Sequence, residues 1–265
     1  MIYRPGRMCY NDGGNRCGEF ALSIAPAGRD KTDRPCYNKR KGEKMSLIFE
    51  MVKNNPEINT YIRKADESMK AIGYTEHSFA HVTKVAQQAA EILSRLGYPE
   101  RTAELARIAG YMHDIGNVVN RHDHAQSGAI MSFRILDKMG MDAEELATVV
   151  CAIGNHDEGT GAPINEVAAA LILADKSDVR RSRVRASDHP PMGDIHDRVN
   201  YAVENSRIEL DAGSKGITLR LTIDTELCAV MDYFEIFLTR MMLCRRAAEY
   251  LGLKFRLVIN DATLL

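Results

Sequence analysis

The sequence predicts a mainly α-helical protein, a helical bundle that carries a small C-terminal β-β-α-β appendage. Three observations support this fold class. Apolar residues recur at helical spacing from about residue 55 to residue 175, in segments bounded by Gly and Pro. No alternation typical of strands interrupts these segments. After about residue 194, short alternating runs flank one long helical run, which is the pattern of a small mixed sheet.

Six helices are predicted in the first part of this region. The earliest has both ends marked, since Asn55 and Pro56 suit the N-cap and first helical positions and Gly73 suits the stop. The others are expected from Thr75 or Ser78 to Gly97, from Pro99 to Gly116, from about Asp123 to Met139, from Asp142 through Ile153, and through Val167–Asp175. Asp142 followed by Glu145 resembles a capping box.

The appendage is predicted to begin with a short helix over residues 195–205. Residues 207–210 and 217–223 alternate polar and apolar side chains around a Gly-rich turn, which predicts a hairpin. Asp224 or Thr225 is expected to cap a long helix that ends near Gly252, and residues 255–259 form a third predicted strand. A three-stranded sheet has open edges, so the sequence admits a homodimer that forms through the appendage.

Three segments are predicted along the chain. Residues 1–44 are rich in Gly, Arg, Asn and Pro, and hold ten Lys and Arg against five Asp and Glu. Such a stretch buries too little apolar surface to offset its ordering entropy, so we predict a disordered extension. Residues 45–193 then form the helical domain and residues 194–265 the appendage, joined by a linker that contains Pro and Gly.

The composition of the chain indicates which partners and which cellular location to expect. The chain is 45% hydrophobic and 27% charged, which is enough for a sizeable core, and its net charge of −1 gives no reason to expect nucleic-acid binding. No apolar run reaches the roughly 20 residues of a membrane span and no hydrophobic leader is present, so we expect a cytoplasmic protein. The six cysteines form no Cys-x-x-Cys pair, which favours reduced thiols.

The functional prediction centres on a His-Asp pair, His113-Asp114, at the end of an apolar helical run. Further His and Asp residues stand in similar positions on neighbouring helices, namely His81, His124, His156 and Asp175. An unpartnered buried carboxylate is costly, so an Asp that ends an apolar helix needs a cation or several donors. Four imidazoles and two carboxylates that converge in a bundle would suit two transition-metal ions.

Two histidines compete for places in this set. His77 lies one turn before His81 on the same helical face. His122 lies two residues before His124. On the residues alone, both choices stay open.

The pattern resembles the HD superfamily of metal-dependent phosphohydrolases. The matching segments are His81-Val-Thr-Lys-Val-Ala, His113-Asp-Ile-Gly-Asn, His124-Ala-Gln-Ser-Gly-Ala, Asn155-His156-Asp-Glu-Gly-Thr-Gly and Ala174-Asp175-Lys176. The two additional His are similar to the dinuclear branch, which includes HD-GYP proteins and bacterial diadenosine tetraphosphate hydrolases. HD-GYP proteins have paired His where this chain has Asn155-His156, and Gly161-Ala162-Pro163 replaces their Gly-Tyr-Pro, which argues against cyclic-di-GMP hydrolysis.

The resemblance implies a ligand set and a reaction. One metal would be held by His81, His113, Asp114 and Asp175, and Asp114 would bridge to a second metal completed by His124 and His156. A hydroxide that bridges the two ions would then attack a phosphate ester or nucleotide. Iron is the first choice of metal, and manganese, cobalt and nickel are the alternatives.

Several polar residues near these ligands are candidates for contact with substrate. Asp114 and Lys176 are the predicted catalytic residues, and Lys176, Arg180 and Asn117 are the predicted substrate-binding residues. Cationic groups suit a phosphoryl oxygen, although Lys and Arg at a helix end are also favourable when merely solvated. Asp157 and Glu158, in the Gly-rich loop after His156, could donate a proton to the leaving group.

Two other functions stay open on the sequence alone. The same four-His, two-Asp set serves diiron oxygenases of the superfamily, in which iron activates dioxygen. A regulatory module that binds a nucleotide without hydrolysing it is the third candidate.

Overall fold

A computed structural model of the protein describes residues 46–185 and 195–264, apart from residues 212 and 214. The predicted extension, residues 1–44, lies outside the described residues, as does the predicted domain boundary at 193/194. The division into domains therefore stays a prediction. Residues Met45–Leu265 belong to one compact unit.

Helices dominate the described part of the chain, which confirms the predicted fold class. Its α-helices are α1 (Phe49–Lys53), α2 (Pro56–Ala71), α3 (Phe79–Arg95), α4 (Glu100–Met112), α5 (His124–Lys138), α6 (Ala143–Gly154), α7 (Glu166–Lys176), α8 (Ile195–Ala202) and α9 (Val230–Tyr250). Its strands are β1 (Val203–Asp211), β2 (Gly216–Ile223), β3 (Lys254–Ile259) and β4 (Ala262–Thr263). No helix in these ranges is both long enough and apolar enough to cross a bilayer.

Local signals explain where the first helices begin and end. The Asn55 side chain accepts hydrogen bonds from the backbone N–H groups of Glu57 and Ile58, as an N-cap does. Asp142 caps α6 by accepting from the N–H of Glu144. Gly73 follows α2 with φ of +82°, a left-handed conformation that glycine adopts without steric cost.

The helices of the bundle pack closely against one another. Gly110 of α4 lies so near Ala86 of α3 that an added Cβ would be 2.7 Å from the Ala86 Cα. Helix α7 packs against α3, α4, α6 and α9, and all its residues from Val167 to Lys176 are buried. This central position accounts for its strongly apolar sequence.

The C-terminal sheet has the strand order β1-β2-β3-β4. Strands β1 and β2 form an antiparallel hairpin, α9 connects β2 to the parallel strand β3, and β4 pairs antiparallel with β3. The short strand β4 adds a fourth strand to the predicted three. Helix α9 packs on α7, so the helix of the appendage contacts the centre of the bundle.

Two predicted boundaries in this region are wrong. Helix α8 ends at Ala202 rather than near Asn205, because Val203 is buried and pairs with Ile223 in the sheet. Helix α9 begins at Val230 rather than near Asp224, because the Asp224 side chain accepts from the N–H of Glu226 in a turn. In both places tertiary pairing or a local turn overrides the helical pattern.

Candidate metal centre

The predicted ligands lie at the ends of helices that meet in the core. His81 is in the first turn of α3, His113 and Asp114 follow α4, and His124 is the first residue of α5. His156 lies two residues after α6, and Asp175 is the penultimate residue of α7. Each of the six is at most 8% exposed. The structure therefore brings all six predicted ligands into one buried cluster.

One half of the cluster contains two imidazoles and two carboxylates. The His81 Nε2 atom is 3.3 Å from Asp175 Oδ1 and 3.5 Å from Asp114 Oδ2. The His113 Nε2 atom is 3.2 Å from Asp114 Oδ2 and 3.6 Å from Asp175 Oδ1. His81, His113 and Asp175 each offer a ligand atom within 4.8 Å of the others, as a shared metal ion requires.

The other half faces the second oxygen of Asp114. The His124 Nε2 atom is 3.6 Å from Asp114 Oδ1 and 3.2 Å from His156 Nε2. The His156 ring lies 4.9 Å from the His113 ring, so the two halves adjoin. Asp114 thus presents one carboxylate oxygen to each half of the cluster.

The second nitrogen of each imidazole is held by an oxygen. The Nδ1 atoms lie 2.8 Å from Asp178 Oδ2 for His81, 2.8 Å from the Gly110 carbonyl for His113, 3.0 Å from the Arg121 carbonyl for His124, and 2.6 Å from the Ile153 carbonyl for His156. Such partners fix the ring orientation and the tautomer of metal-ligating histidines. All four rings are therefore oriented with Nε2 toward the centre.

The donor set fits divalent transition metals. The Nε2 atoms of His81 and His113 are buried and have no hydrogen-bond partner in the described residues. When Nδ1–H of His113 donates to a carbonyl, Nε2 presents a lone pair to the carboxylate oxygens, and only a cation between them relieves the repulsion. Imidazole nitrogen with carboxylate oxygen is a combination that iron, manganese, cobalt and nickel accept.

Titration of His113 reflects the same geometry. Burial lowers the pKa of His113, but the Asp114 and Asp175 carboxylates outweigh burial and raise the pKa to about 10. A proton thus holds this position at neutral pH when no metal does. It stabilises the metal-free fold fully below the unfolded pKa of about 6.5, and that contribution is lost as the pH rises towards 10.

Metal binding should displace this proton. At pH 7.5 we expect at least about one proton to be released per chain on loading, because the ligand must be deprotonated. Isothermal titration calorimetry in buffers of different ionisation enthalpy measures the release. The variant His122→Gln, which alters an exposed histidine, should release as much as the unmodified protein. Loading without proton release would contradict the assignment of His113.

Asp178 is a site residue that the sequence reasoning missed. Its buried carboxylate lies 2.8 Å from His81 Nδ1 and accepts hydrogen bonds from Lys84 Nζ at 2.7 Å and Arg180 Nε at 2.9 Å. Burial raises its pKa, but hydrogen bonds and nearby positive charge outweigh burial and hold the pKa well below the usual range. Its position three residues after Asp175, near the end of a buried helix, was the available signal.

Replacing Asp178 by Asn should weaken metal binding without abolishing it. The amide keeps the shape but loses the charge that raises the basicity of His81, and we expect a loss of about 10- to 100-fold in metal affinity. Competition with a chromophoric chelator measures this loss. Asp137→Asn, at an exposed position of α5, serves as the control. Equal affinities in the two variants would exclude the role given to Asp178.

The predicted substrate-binding residues contact carboxylates of the site. Asn117 Nδ2 donates to Asp114 Oδ1 at 2.9 Å and so steadies the central ligand. Lys176 Nζ lies 2.8 Å from Asp175 Oδ2 and 2.6 Å from Glu158 Oε2. Arg180 pairs with Asp178. Their contact with substrate, and catalysis by Lys176, stay predictions.

Two alternatives from the sequence are placed elsewhere. His77 is buried beside His81, with ring centroids 5.8 Å apart, and its Nδ1 lies 2.8 Å from the Thr75 carbonyl. His122 is exposed and pairs with Asp123. The groups with metal-binding geometry in the described residues are His81-His113-Asp175 and His113-Asp114-His156. They include neither of these two histidines, and they also leave out His124, whose Nε2 atom nevertheless adjoins Asp114 and His156.

Glu158 does not suit the role of proton donor. Burial raises its pKa, but Lys176 and Arg240 outweigh burial and hold the pKa far below the usual range. The Glu158 carboxylate therefore stays ionised near neutral pH. It lies between Lys176 Nζ at 2.6 Å and Arg240 Nη2 at 3.3 Å.

Comparison with known proteins shows what the chain resembles. Residues 78–180 match the HD domain family. An uncharacterized protein, MJ1020, of Methanocaldococcus jannaschii is 26% identical over 203 residues, which are 68% of this chain and 77% of that protein. The crystal structure of a predicted HD superfamily hydrolase from an uncultured Thermotogales bacterium is 28% identical, with a TM-score of 0.38, over 49% of this chain and 73% of the other.

Proposed function

We propose that this chain, whose residues 78–180 match the HD domain family, is a phosphohydrolase that uses two divalent transition metals to cleave a phosphate ester or a nucleotide. The family match supports a metal-dependent hydrolase in general. The dinuclear centre, iron as the native metal and the phosphorylated substrate belong to the proposal.

The main support for the proposed dinuclear centre is that the two carboxylate oxygens of Asp114 face two separate groups of ligand atoms. Oδ2 adjoins His81 and His113, while Oδ1 adjoins His124. His81, His113 and Asp175 could hold one ion without His124 or His156, yet both of these histidines are buried with their Nε2 atoms directed at the cluster. A pair of metals explains why these two imidazoles are oriented in this way.

The residues around the centre suit phosphoryl transfer. Two bound divalent ions would lower the pKa of water and neutralise phosphoryl oxygens. Asn117 holds Asp114 in place, and Lys176 is kept charged because Asp175 and Glu158 outweigh the effect of burial and raise its pKa. Burial of the cluster strengthens each electrostatic contact with an anionic group.

Turnover by metal-loaded protein tests the proposal. Phosphate release should be measured with nucleoside mono-, di- and triphosphates, cyclic nucleotides and simple phosphate monoesters, after loading with Fe(II), Mn(II), Co(II) or Ni(II). His81→Ala should lose activity with every substrate, whereas His122→Ala should keep it. No phosphate release from any of them by protein that holds two metals per chain would refute the proposal.

The other functions predicted from the sequence give different results in the same preparations. An oxygenase would consume dioxygen and show a mixed-valent iron signal. A regulatory module would bind a nucleotide tightly without turning it over. The cationic side chains near the centre favour a phosphorylated ligand over the oxygenase alternative, and turnover separates the hydrolase from the regulatory module.

A further inference from the structure

A cavity of about 450 Å³ adjoins the metal centre. His77 forms part of its wall, and the His77 ring contacts that of His81. Another part of the wall comes from the C-terminal region, with Asn200 of α8 and Phe237 and Arg240 of α9. A cavity of this volume accommodates a small organic molecule. The appendage therefore shapes the space beside the centre.

Three guanidinium groups from separate parts of the chain line this cavity. Arg121 precedes α5, Arg183 lies between α7 and α8, and Arg240 is on α9. Arg121 stacks on the Tyr74 ring at 5.5 Å, and Arg240 lies over the Phe237 ring at 4.5 Å. These aromatic contacts orient the planar groups without neutralising their charge.

The negative charge along the cavity does not balance these three cations. Glu158 and Asp197 are the carboxylates among the described residues of its wall, and Glu158 also pairs with Lys176. Arg183 is 5% exposed and donates to the carbonyl groups of Glu76 and Asp178, which carry no formal charge. Burial lowers the pKa of Arg183 below its usual value, and the Asp178, Asp175 and Asp114 carboxylates, which act in the opposite direction, do not outweigh it.

Arg240, one of the three arginines of the cavity wall, has a buried donor atom without a partner in the described part of the chain. The Arg240 Nε atom is buried and has no hydrogen-bond partner in the described residues. Glu158, the carboxylate that pairs with Arg240, also pairs with Lys176. An anionic group in the cavity that Arg240 lines would add negative charge beside these two cations. Arginine suits this role because its planar donors match a carboxylate or a phosphate.

We propose that this cavity is a second anion site, which binds a carboxylate or phosphate group of the substrate while the scissile phosphoryl group lies at the metal centre. The placement of the scissile phosphoryl group at the metal centre rests on the proposed function. It makes the substrate a small molecule with two anionic groups. The C-terminal region then contributes to substrate choice through Arg240.

The two sites are close enough for one small molecule. Arg121 Nη1 is 3.4 Å from Nε2 of His124, a predicted metal ligand. On the other side, Arg240 contacts Glu158 at 3.3 Å, Glu158 contacts Lys176 at 2.6 Å, and Lys176 contacts Asp175 at 2.8 Å. Arg121 therefore contacts a predicted metal ligand directly, and Arg240 is connected to another, Asp175, through Glu158 and Lys176.

Binding of non-hydrolysable probes tests this site independently of turnover. Carboxyalkylphosphonates of increasing chain length should be compared with alkylphosphonates of the same length by calorimetry on metal-loaded protein. At the length that spans the two sites, we expect the carboxylate to increase affinity about tenfold or more. The phosphonate head serves as the same anchor in both series.

Variants of the arginines test whether they cause the increase in affinity that the carboxylate provides. Arg240→Gln and Arg121→Gln should each lose more affinity for the carboxyalkylphosphonate than for its alkyl partner. Arg245→Gln, on the exposed side of α9, should retain the full gain. Arg121 supplies the second variant if the loss of Arg240 disturbs folding.

Each result has one meaning. A carboxylate gain without turnover of any phosphate ester would refute the proposed function and leave the second anion site standing. Turnover without a carboxylate gain at any length would overturn the second site alone. A gain that survives in both arginine variants, or no binding by either series, also overturns it.

Discussion

Replacing Asp114 by Ala should remove both metal ions and lower kcat/KM by about 10³-fold or more, since in the proposed centre one carboxylate serves both halves. Its Oδ2 atom is 3.2 Å from His113 Nε2, and its Oδ1 atom is 3.6 Å from His124 Nε2. Without it, the imidazoles of the two halves share no anionic ligand. Elemental analysis of protein purified without added metal, together with phosphate release, measures both effects.

His124→Ala is the matched comparison for this variant. His124 adjoins only Oδ1 of Asp114 and the ring of His156, so its loss should empty mainly the second position. We expect metal content to fall by about one ion per chain. If the Asp114 variant keeps its full metal content, the assignment of the bridging ligand is wrong.

Replacing Gly116 by Ala should destabilise the fold by about 3 kcal/mol or more. Gly116 follows the His-Asp pair, and the chain passes against the start of α5 at this point. An added Cβ would collide with the His124 carbonyl oxygen and lie 2.5 Å from the Gly128 nitrogen. Since both obstacles are backbone, the start of α5 must move, and His124 with it.

Denaturant unfolding of metal-free protein measures the loss of stability, and metal titration measures the displacement of His124. Gly154→Ala is the control, because its Cβ would meet only the Ala129 Cβ, at an ordinary 3.6 Å. This control lies at the end of α6, where alanine favours the helix. Equal stability in the two variants would show that the contact at Gly116 is not tight.

The sequence could predict most of the helical part because its signals are local. Apolar residues at helical spacing, an Asn-Pro start at Asn55 and a glycine stop at Gly73 identify α2 without any knowledge of its neighbours. The predictions fail where pairing decides, as at Val203, which enters a strand because Ile223 lies opposite. The two-residue strand β4 carries too little pattern to be found in advance.

The sequence by itself determined which six residues could form a metal centre, because each His or Asp occupies a recognisable position in a family motif or at a helix end. Only the tertiary structure decided how these residues face one another, and which others join them. Asp178 meets His81 across 97 positions, and Arg240 meets Glu158 across 82. Such pairs leave no local trace in the chain, because the packing of α3, α7 and α9 creates them.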